Sequence, residues 1–211
     1  MLNQKIILLM GSKLYYIYST MNASKSASLL MKAHSFEENG IPFICMKPSI
    51  DTRDGIDVIS SRIGLKRECV SIYQNDNIYN IITEIFNQFR EIEKRLPEWI
   101  LIDESQFLTI EQVEQLSYIV DFLNVNIICY GIRTDFRTNL FGGSKRLFEL
   151  ADNIEEMKIS CSCGRKAIIN ARVDDGGNVI TDGEQVLIGG NDRYVTMCRK
   201  CYREAVEKNI F

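Results

Sequence analysis

The stretch Tyr15-Tyr16-Ile17-Tyr18-Ser19-Thr20-Met21-Asn22-Ala23-Ser24-Lys25-Ser26 decides the fold, because it reads as a buried strand running into a tight loop that opens a helix. Such a junction is suited to phosphate. Small residues let backbone N–H groups turn inward, the helix N-terminus adds its dipole, Lys25 can reach terminal phosphates and the Ser26 hydroxyl can ligate magnesium. Against the pattern G-x-x-x-x-G-K-[ST], Ser19 and Ser24 stand where the two glycines belong. Taken alone, the loop therefore also reads as a polar turn before an ordinary helix, with Lys25 solvated.

Working outward, Leu29, Leu30, Ala33 and Phe36 fall at helical spacing between Ser26 and Asn39, and Gly40 supplies a stop. A strand is expected at 41–46, followed by the polar turn Asp51-Thr52-Arg53-Asp54-Gly55, on the side where open α/β sheets place ligands. Residues 56–73 are irregular and read as a loop with a short strand. Ile78, Ile81, Ile82, Ile85, Phe86 and Phe89 mark an amphipathic helix that ends before Pro97. Thr109 and Gln112 have the spacing of a capping box, and a buried strand at 125–130 ends at Gly131. Beyond a loop at 133–144, a short helix leads out to Leu150. Strands alternating with helices imply an α/β fold: a doubly wound, mostly parallel sheet of the P-loop (RecA-like) kind.

A second signal strengthens the loop. Trp99-Ile100-Leu101-Ile102-Asp103 has the form of a buried strand that delivers one carboxylate to the magnesium bridging ATP phosphates. Glu104 can point into the same cleft and take a proton from an attacking hydroxyl or water. The alternative is a plain turn, but an upstream phosphate-type loop in an α/β pattern favours the chemical reading.

Composition frames the rest. With 211 residues, 45% of them hydrophobic, the chain can bury one main core with a small appendage. A net charge of −3 gives no sign of a general polyanion binder, and no stretch approaches the ~20 apolar residues of a membrane span. No leader convinces, so a cytoplasmic location with reduced thiols is expected. Residues 1–12 could be a leader, a cloning remnant or an extra edge strand. Of seven cysteines, Cys45, Cys69 and Cys129 are scattered and read as small core residues. Cys161, Cys163, Cys198 and Cys201 form C-x-C and C-x-x-C pairs around the hairpin signal Asp174-Asp175-Gly176-Gly177-Asn178. Four thiolates so spaced suit a closed structural zinc site, with a disulfide pair or free buried thiols as the other options. The lone histidine, His34, reads as an ordinary helix residue.

Ser-Thr-Met-Asn-Ala-Ser-Lys-Ser at 19–26, Asp-Thr-Arg at 51–53, Asp-Glu-Ser-Gln-Phe-Leu at 103–108, Tyr-Gly-Ile-Arg-Thr-Asp-Phe at 130–136 and Gly-Gly-Asn-Asp-Arg-Tyr at 189–194, followed by Cys-Arg-Lys-Cys, closely resemble the thymidine kinases shared by bacteria, poxviruses and animal cytosol. The resemblance spans residues 13–205. It implies transfer of the ATP γ-phosphate to the 5′-hydroxyl of thymidine or deoxyuridine, in a cytoplasmic homotetramer inhibited by thymidine triphosphate, with neither nucleic acid nor membrane as partner. It also implies a kinase core at 13–152 and a zinc-pinned β lasso domain at 153–211.

By the same resemblance, Ser19, Thr20, Met21, Asn22, Ala23, Ser24, Lys25 and Ser26 form the phosphate loop. Asp103 holds Mg2+, with Ser105 and Gln106 beside it. Glu104 is the catalytic base, and Lys25 and Arg53 serve the phosphates. Phe107, Phe136 and Phe141 contact the nucleoside, and Met21 with Ile132 meets the pyrimidine 5-methyl group. Leu187, Ile188, Gly189, Gly190, Asn191 and Tyr194 belong to the lasso over the base, and Cys161, Cys163, Cys198 and Cys201 bind Zn2+. Relatives normally have glycine at the position of Ser24, where the backbone crowds the phosphates and calls for positive φ. Two other classes stay open: an ATPase whose zinc ribbon binds nucleic acid through the cluster Arg133, Arg137, Lys145 and Arg146, and a nucleoside-binding protein without turnover, motivated by Ser24.

Overall fold

In the computed structural model, residues 11–52, 55–186 and 193–208 are described. The apolar strands assemble into a six-stranded sheet formed by β1 (Leu14–Ser19), β2 (Phe43–Pro48), β5 (Val70–Ile72), β6 (Trp99–Ile102), β7 (Asn126–Ile132) and β8 (Asn153–Glu156). Its order is β5-β2-β6-β7-β1-β8 and every pairing in it is parallel, so the α/β expectation holds.

Alternation along each strand divides the core between the two faces of the sheet. Tyr16, Ile44, Met46, Ile100, Ile102, Ile127 and Cys129 pack on one side under α2 (Ile78–Ile92), α3 (Ile110–Leu123) and α4 (Gly142–Leu150). Cys45, Leu101, Ile128 and Tyr130 face the other side, against Leu29, Leu30, Ala33 and Phe36 of α1 (Lys25–Glu38). The capping box forms as expected: Thr109 Oγ1 accepts the Gln112 N–H, and Gln112 Oε1 accepts the Thr109 N–H, each at 3.1 Å.

Two segments depart from the expectation. The irregular region after Gly55 forms an antiparallel hairpin, β3 (Val58–Ser60) with β4 (Lys66–Glu68). Buried Lys47 holds its base by donating to the carbonyls of Gly55 and Val58, both at 2.8 Å. The expected domain boundary after residue 152 falls too early, since β8 pairs with β1 from Tyr15↔Asn153 to Tyr18↔Glu156 and completes the main sheet. Its sequence Asn-Ile-Glu-Glu is polar because this edge strand is mostly exposed, with Asn153, Ile154 and Glu155 all open to solvent.

The remainder is a small antiparallel sheet, β10 (Val179–Ile180)-β9 (Ile169–Val173)-β11 (Tyr194–Met197), with α5 (Arg199–Lys208) packed beside it. The Asp174 turn forms as predicted, with its carboxylate accepting the N–H groups of Gly176 and Asn178. No helix among the described residues is long and apolar enough to cross a membrane.

Candidate active site

The carboxyl ends of β1, β6 and β7 open onto one cleft of about 390 Å3, as expected for an open α/β sheet. Met21 to Ser26 line it. Asn22 and Ser24 both have positive φ, 63° and 58°, and Ser24 precedes α1 without a side-chain cap. The first N–H groups of α1, which no intrahelical carbonyl can reach, thus border the cleft with the positive end of the helix dipole. Ser19 and Thr20 lie beneath, still in or next to the sheet, and support Lys25: its Nζ donates to the Thr20 carbonyl at 2.8 Å and to Ser19 Oγ at 3.2 Å.

At the end of β6, Asp103 is 4% exposed and accepts a hydrogen bond from the Ser26 hydroxyl. Burial, then the adjacent Glu104 charge, pushes its carboxyl up to about 7. A hydroxyl beside a carboxylate is the oxygen donor set that Mg2+ takes from proteins, and a bound cation would bring the carboxyl back down. Glu104 has φ 48° and ψ 37°, a left-handed turn that carries its side chain out of the strand direction into the cleft. Gln106 steadies it. One end of that amide donates to Glu104 Oε2 at 2.5 Å and the other accepts the Ile132 N–H at 3.0 Å.

Ser105 does not join this group. The 3-10 turn Ser105–Phe107 rotates it inward, fully buried under Gly131, where an added Cβ would lie 2.7 Å from Ser105 Oγ. Its expected contact with ATP or magnesium is therefore corrected: it packs the turn against β7.

The opposite wall is aromatic. Phe107 and Phe141 meet edge to face at 5.8 Å and 80°, and Met21, Ile132, Phe136 and Tyr194 complete the lining. The Arg172 guanidinium lies 3.8 Å from the Phe136 ring centroid and donates to the Tyr194 hydroxyl at 2.7 and 3.1 Å.

Beyond the cleft, the sulfurs of Cys161, Cys163, Cys198 and Cys201 all lie within 4.8 Å of one another, and none is in a disulfide. A tetrahedral zinc with Zn–S of about 2.3 Å spaces its sulfurs about 3.8 Å apart, and Cys163 and Cys198 Sγ are 3.6 Å apart. The cluster could hold that ion. Backbone N–H groups of Cys163 and Cys198 pull the Cys161 thiol down to about 6, and that of Cys201 lowers Cys198, so these two form thiolates readily, whereas the neighbouring sulfurs push the Cys201 thiol up to about 12.

The family model described as thymidine kinase matches residues 12–202 of this chain. The chain belongs to the thymidine kinase family. Thymidine kinase of Rhodopirellula baltica is 46% identical over 92% of this chain and 90% of that one. That of Vibrio vulnificus (strain YJ016) is 46% identical over 93% and 100%, and that of Legionella pneumophila (strain Philadelphia 1) 44% identical over 95% and 93%. Among solved structures, the Pif1 helicase of Candida albicans aligns with a TM-score of 0.42 at 14% identity over 73% of this chain and 38% of that one, too loosely to carry an argument.

Of the residues that the thymidine kinase resemblance singles out, Arg53, Leu187, Ile188, Gly189, Gly190 and Asn191 lie outside the described residues. Asp51, in the turn expected on the ligand side of the sheet, lines the cleft, as do several residues of this thymidine kinase family member to which the sequence reading gave no role: Arg62, Thr134, Asp135, Asn170 and Gln185. Asp135 accepts the N–H groups of Arg137 and Asn139 at 2.9 Å and the Gln185 amide at 3.0 Å. Asn170 was visible as a polar residue in the apolar run Ile168-Ile169-Asn170-Ala171, a pattern that calls for a specific partner.

Proposed function

We propose that the protein is a thymidine kinase, transferring the γ-phosphate of ATP to the 5′-hydroxyl of thymidine or deoxyuridine. The observation that carries this reading is Glu104, an acid set between a phosphate-type loop and an aromatic wall, beside a second carboxylate buried against Ser26. The triphosphate lies along Met21 to Ser26, with Lys25 and the α1 N-terminus offsetting its charge, and the pyrimidine lies among Phe107, Phe136, Phe141 and Tyr194, with Met21 and Ile132 at its 5-position.

Glu104 accepts the proton of the 5′-hydroxyl as its oxygen bonds to the γ-phosphorus, and the β–γ bridging oxygen leaves with ADP. Asp103 and Ser26 would hold Mg2+, which neutralises developing phosphate charge when bound. The four cysteines would hold structural Zn2+, fixing the shape of the small sheet β10-β9-β11 and α5 as a cover domain. Arg53 and the segment 187–191 are assigned to phosphate and base, and a cytoplasmic homotetramer with feedback inhibition by thymidine triphosphate follows from the same family resemblance.

The test is ATP consumption with thymidine, deoxycytidine, single-stranded DNA or no acceptor. Stimulation by thymidine alone supports the kinase; stimulation by DNA overturns it in favour of a nucleic-acid ATPase. Glu104→Gln is expected to cut kcat by about 10²-fold or more with thymidine affinity nearly intact. An unchanged kcat with a raised KM would make Glu104 a binding residue instead.

A further inference from the structure

Strand β9 touches both halves of the cleft from one face. Asn170 and Arg172 are two residues apart, so their side chains project to the same side of the strand. Asn170, 2% exposed, joins the segments that follow two strands of the main sheet: its Oδ1 accepts the Met21 N–H at 2.7 Å, and its Nδ2 donates to the Thr134 carbonyl at 3.2 Å. Met21 begins the turn of the phosphate loop, and Thr134 follows β7. Arg172, 5% exposed, stacks on Phe136 and donates to the Tyr194 hydroxyl. One side chain of the strand thus holds the phosphate loop and the next on that face holds the aromatic wall.

The strand between them has little freedom. β10 and β11 pair with its two edges, and Ile169, Ala171 and Val173 are buried. A side-chain amide buried in such a strand is costly unless both its ends are bonded. Both ends are bonded only when β9 sits against Met21 and Thr134. Seating β9 at the aromatic wall and fixing the first turn of the phosphate loop are therefore one event.

We infer that β9 couples the two substrate subsites. A nucleoside held between Phe136 and Tyr194 seats the strand, Asn170 then fixes the phosphate loop at Met21, and nucleotide binds to a loop already ordered. Linkage makes the effect reciprocal, so nucleotide tightens nucleoside to the same degree. Asn170 acts through the loop and is a positioning residue, not a catalytic one. This inference rests on the kinase reading, which places the base at the aromatic wall and the nucleotide at the loop.

The test uses the full-length holoprotein and the dissociation constant of a fluorescent ADP analogue, titrated with and without saturating thymidine, with the melting temperature recorded alongside. In the unmodified protein thymidine is expected to tighten the analogue about 5-fold or more. In Asn170→Ala that ratio is expected to fall close to one, whatever change each affinity shows alone. A merely structural role would weaken both ligands and lower the melting temperature while leaving the ratio as it was, and that result overturns the inference, as does a ratio of one in the unmodified protein. Should Asn170→Ala not fold, Asn170→Ser reads the same ratio, because a hydroxyl on one carbon is too short to span Met21 and Thr134. Thymidine binding with intact coupling but no phosphate transfer would sink the kinase reading and leave the coupling standing.

Discussion

Ser24 holds φ 58° and ψ 29°, a left-handed conformation that costs a residue with a Cβ about 1 kcal/mol or more relative to glycine. Glycine would relieve this but return roughly 0.5 to 1 kcal/mol through the larger freedom of the unfolded chain. The two nearly cancel, so Ser24→Gly is expected to move the melting temperature by no more than about 3 °C. Its effect should appear in the Michaelis constant for ATP, lowered because the Cβ beside the phosphates is gone, with thymidine kinetics little changed. Steady-state kinetics with each substrate varied in turn decides, and identical ATP kinetics would mean that serine sits there without crowding the phosphates. Asp103 allows a pH test. Its folded-state carboxyl is raised to about 7, so folding takes up a proton: the group favours the native state at low pH, and that contribution is lost as pH rises towards about 7. Magnesium needs the carboxylate, so the thermal stabilisation given by MgCl2 with ATP should be larger at pH 8 than at pH 6 and lose that pH dependence in Asp103→Asn. A magnesium shift equal at both pH values in the unmodified protein would remove Asp103 as the ligand.

At the scale of elements, the start of α4 is set by how closely it meets the turn after β6. A Cβ on Gly143 would come within 2.6 Å of the Leu108 carbonyl and 2.8 Å of that of Ser105, whereas on Gly142 it would meet only Ile110 Cγ1, at 3.8 Å. Backbone cannot move aside as a flexible side chain can. Gly143→Ala is expected to cost about 1 to 3 kcal/mol by overpacking, while Gly142→Ala should be neutral or stabilising by up to about 1 kcal/mol from helix propensity. Urea denaturation of the two variants gives the comparison, and equal stabilities would show that the turn yields. The same contact explains why Ser105 turns inward: α4 and β7 close over the 3-10 turn from two sides, leaving Glu104, Gln106 and Phe107 to face the cleft.

For the whole molecule, the four-cysteine cluster decides whether the small sheet has a fixed shape. Elemental analysis is expected to find about one zinc per chain, falling to near zero in Cys198→Ser together with thymidine binding, since a structural zinc contributes folding free energy directly. Stoichiometric zinc with all four cysteines replaced would end this assignment. The metal cluster is legible in the sequence because few arrangements other than zinc satisfy two close thiol pairs, and the core sheet is legible because period-two burial and capping are local. The phosphate-type loop and the acid that ends β6 are readable for the same reason: each is a strand and its next few residues. Asn153 to Glu156 could not be read as a core strand, because a polar edge strand has no apolar signature and is defined only by its pairing with β1. Nor could the inward turn of Ser105, which neighbouring elements impose. Asn170 meets Met21 across 149 positions of sequence, and no local pattern records which backbone N–H a buried amide will find. Short-range propensity and donor type thus made the elements, and the chemistry that each carries, readable along the chain. Which of those residues face one cleft was settled by folding, because that depends on chain closure over long separations and on steric fit between packed elements.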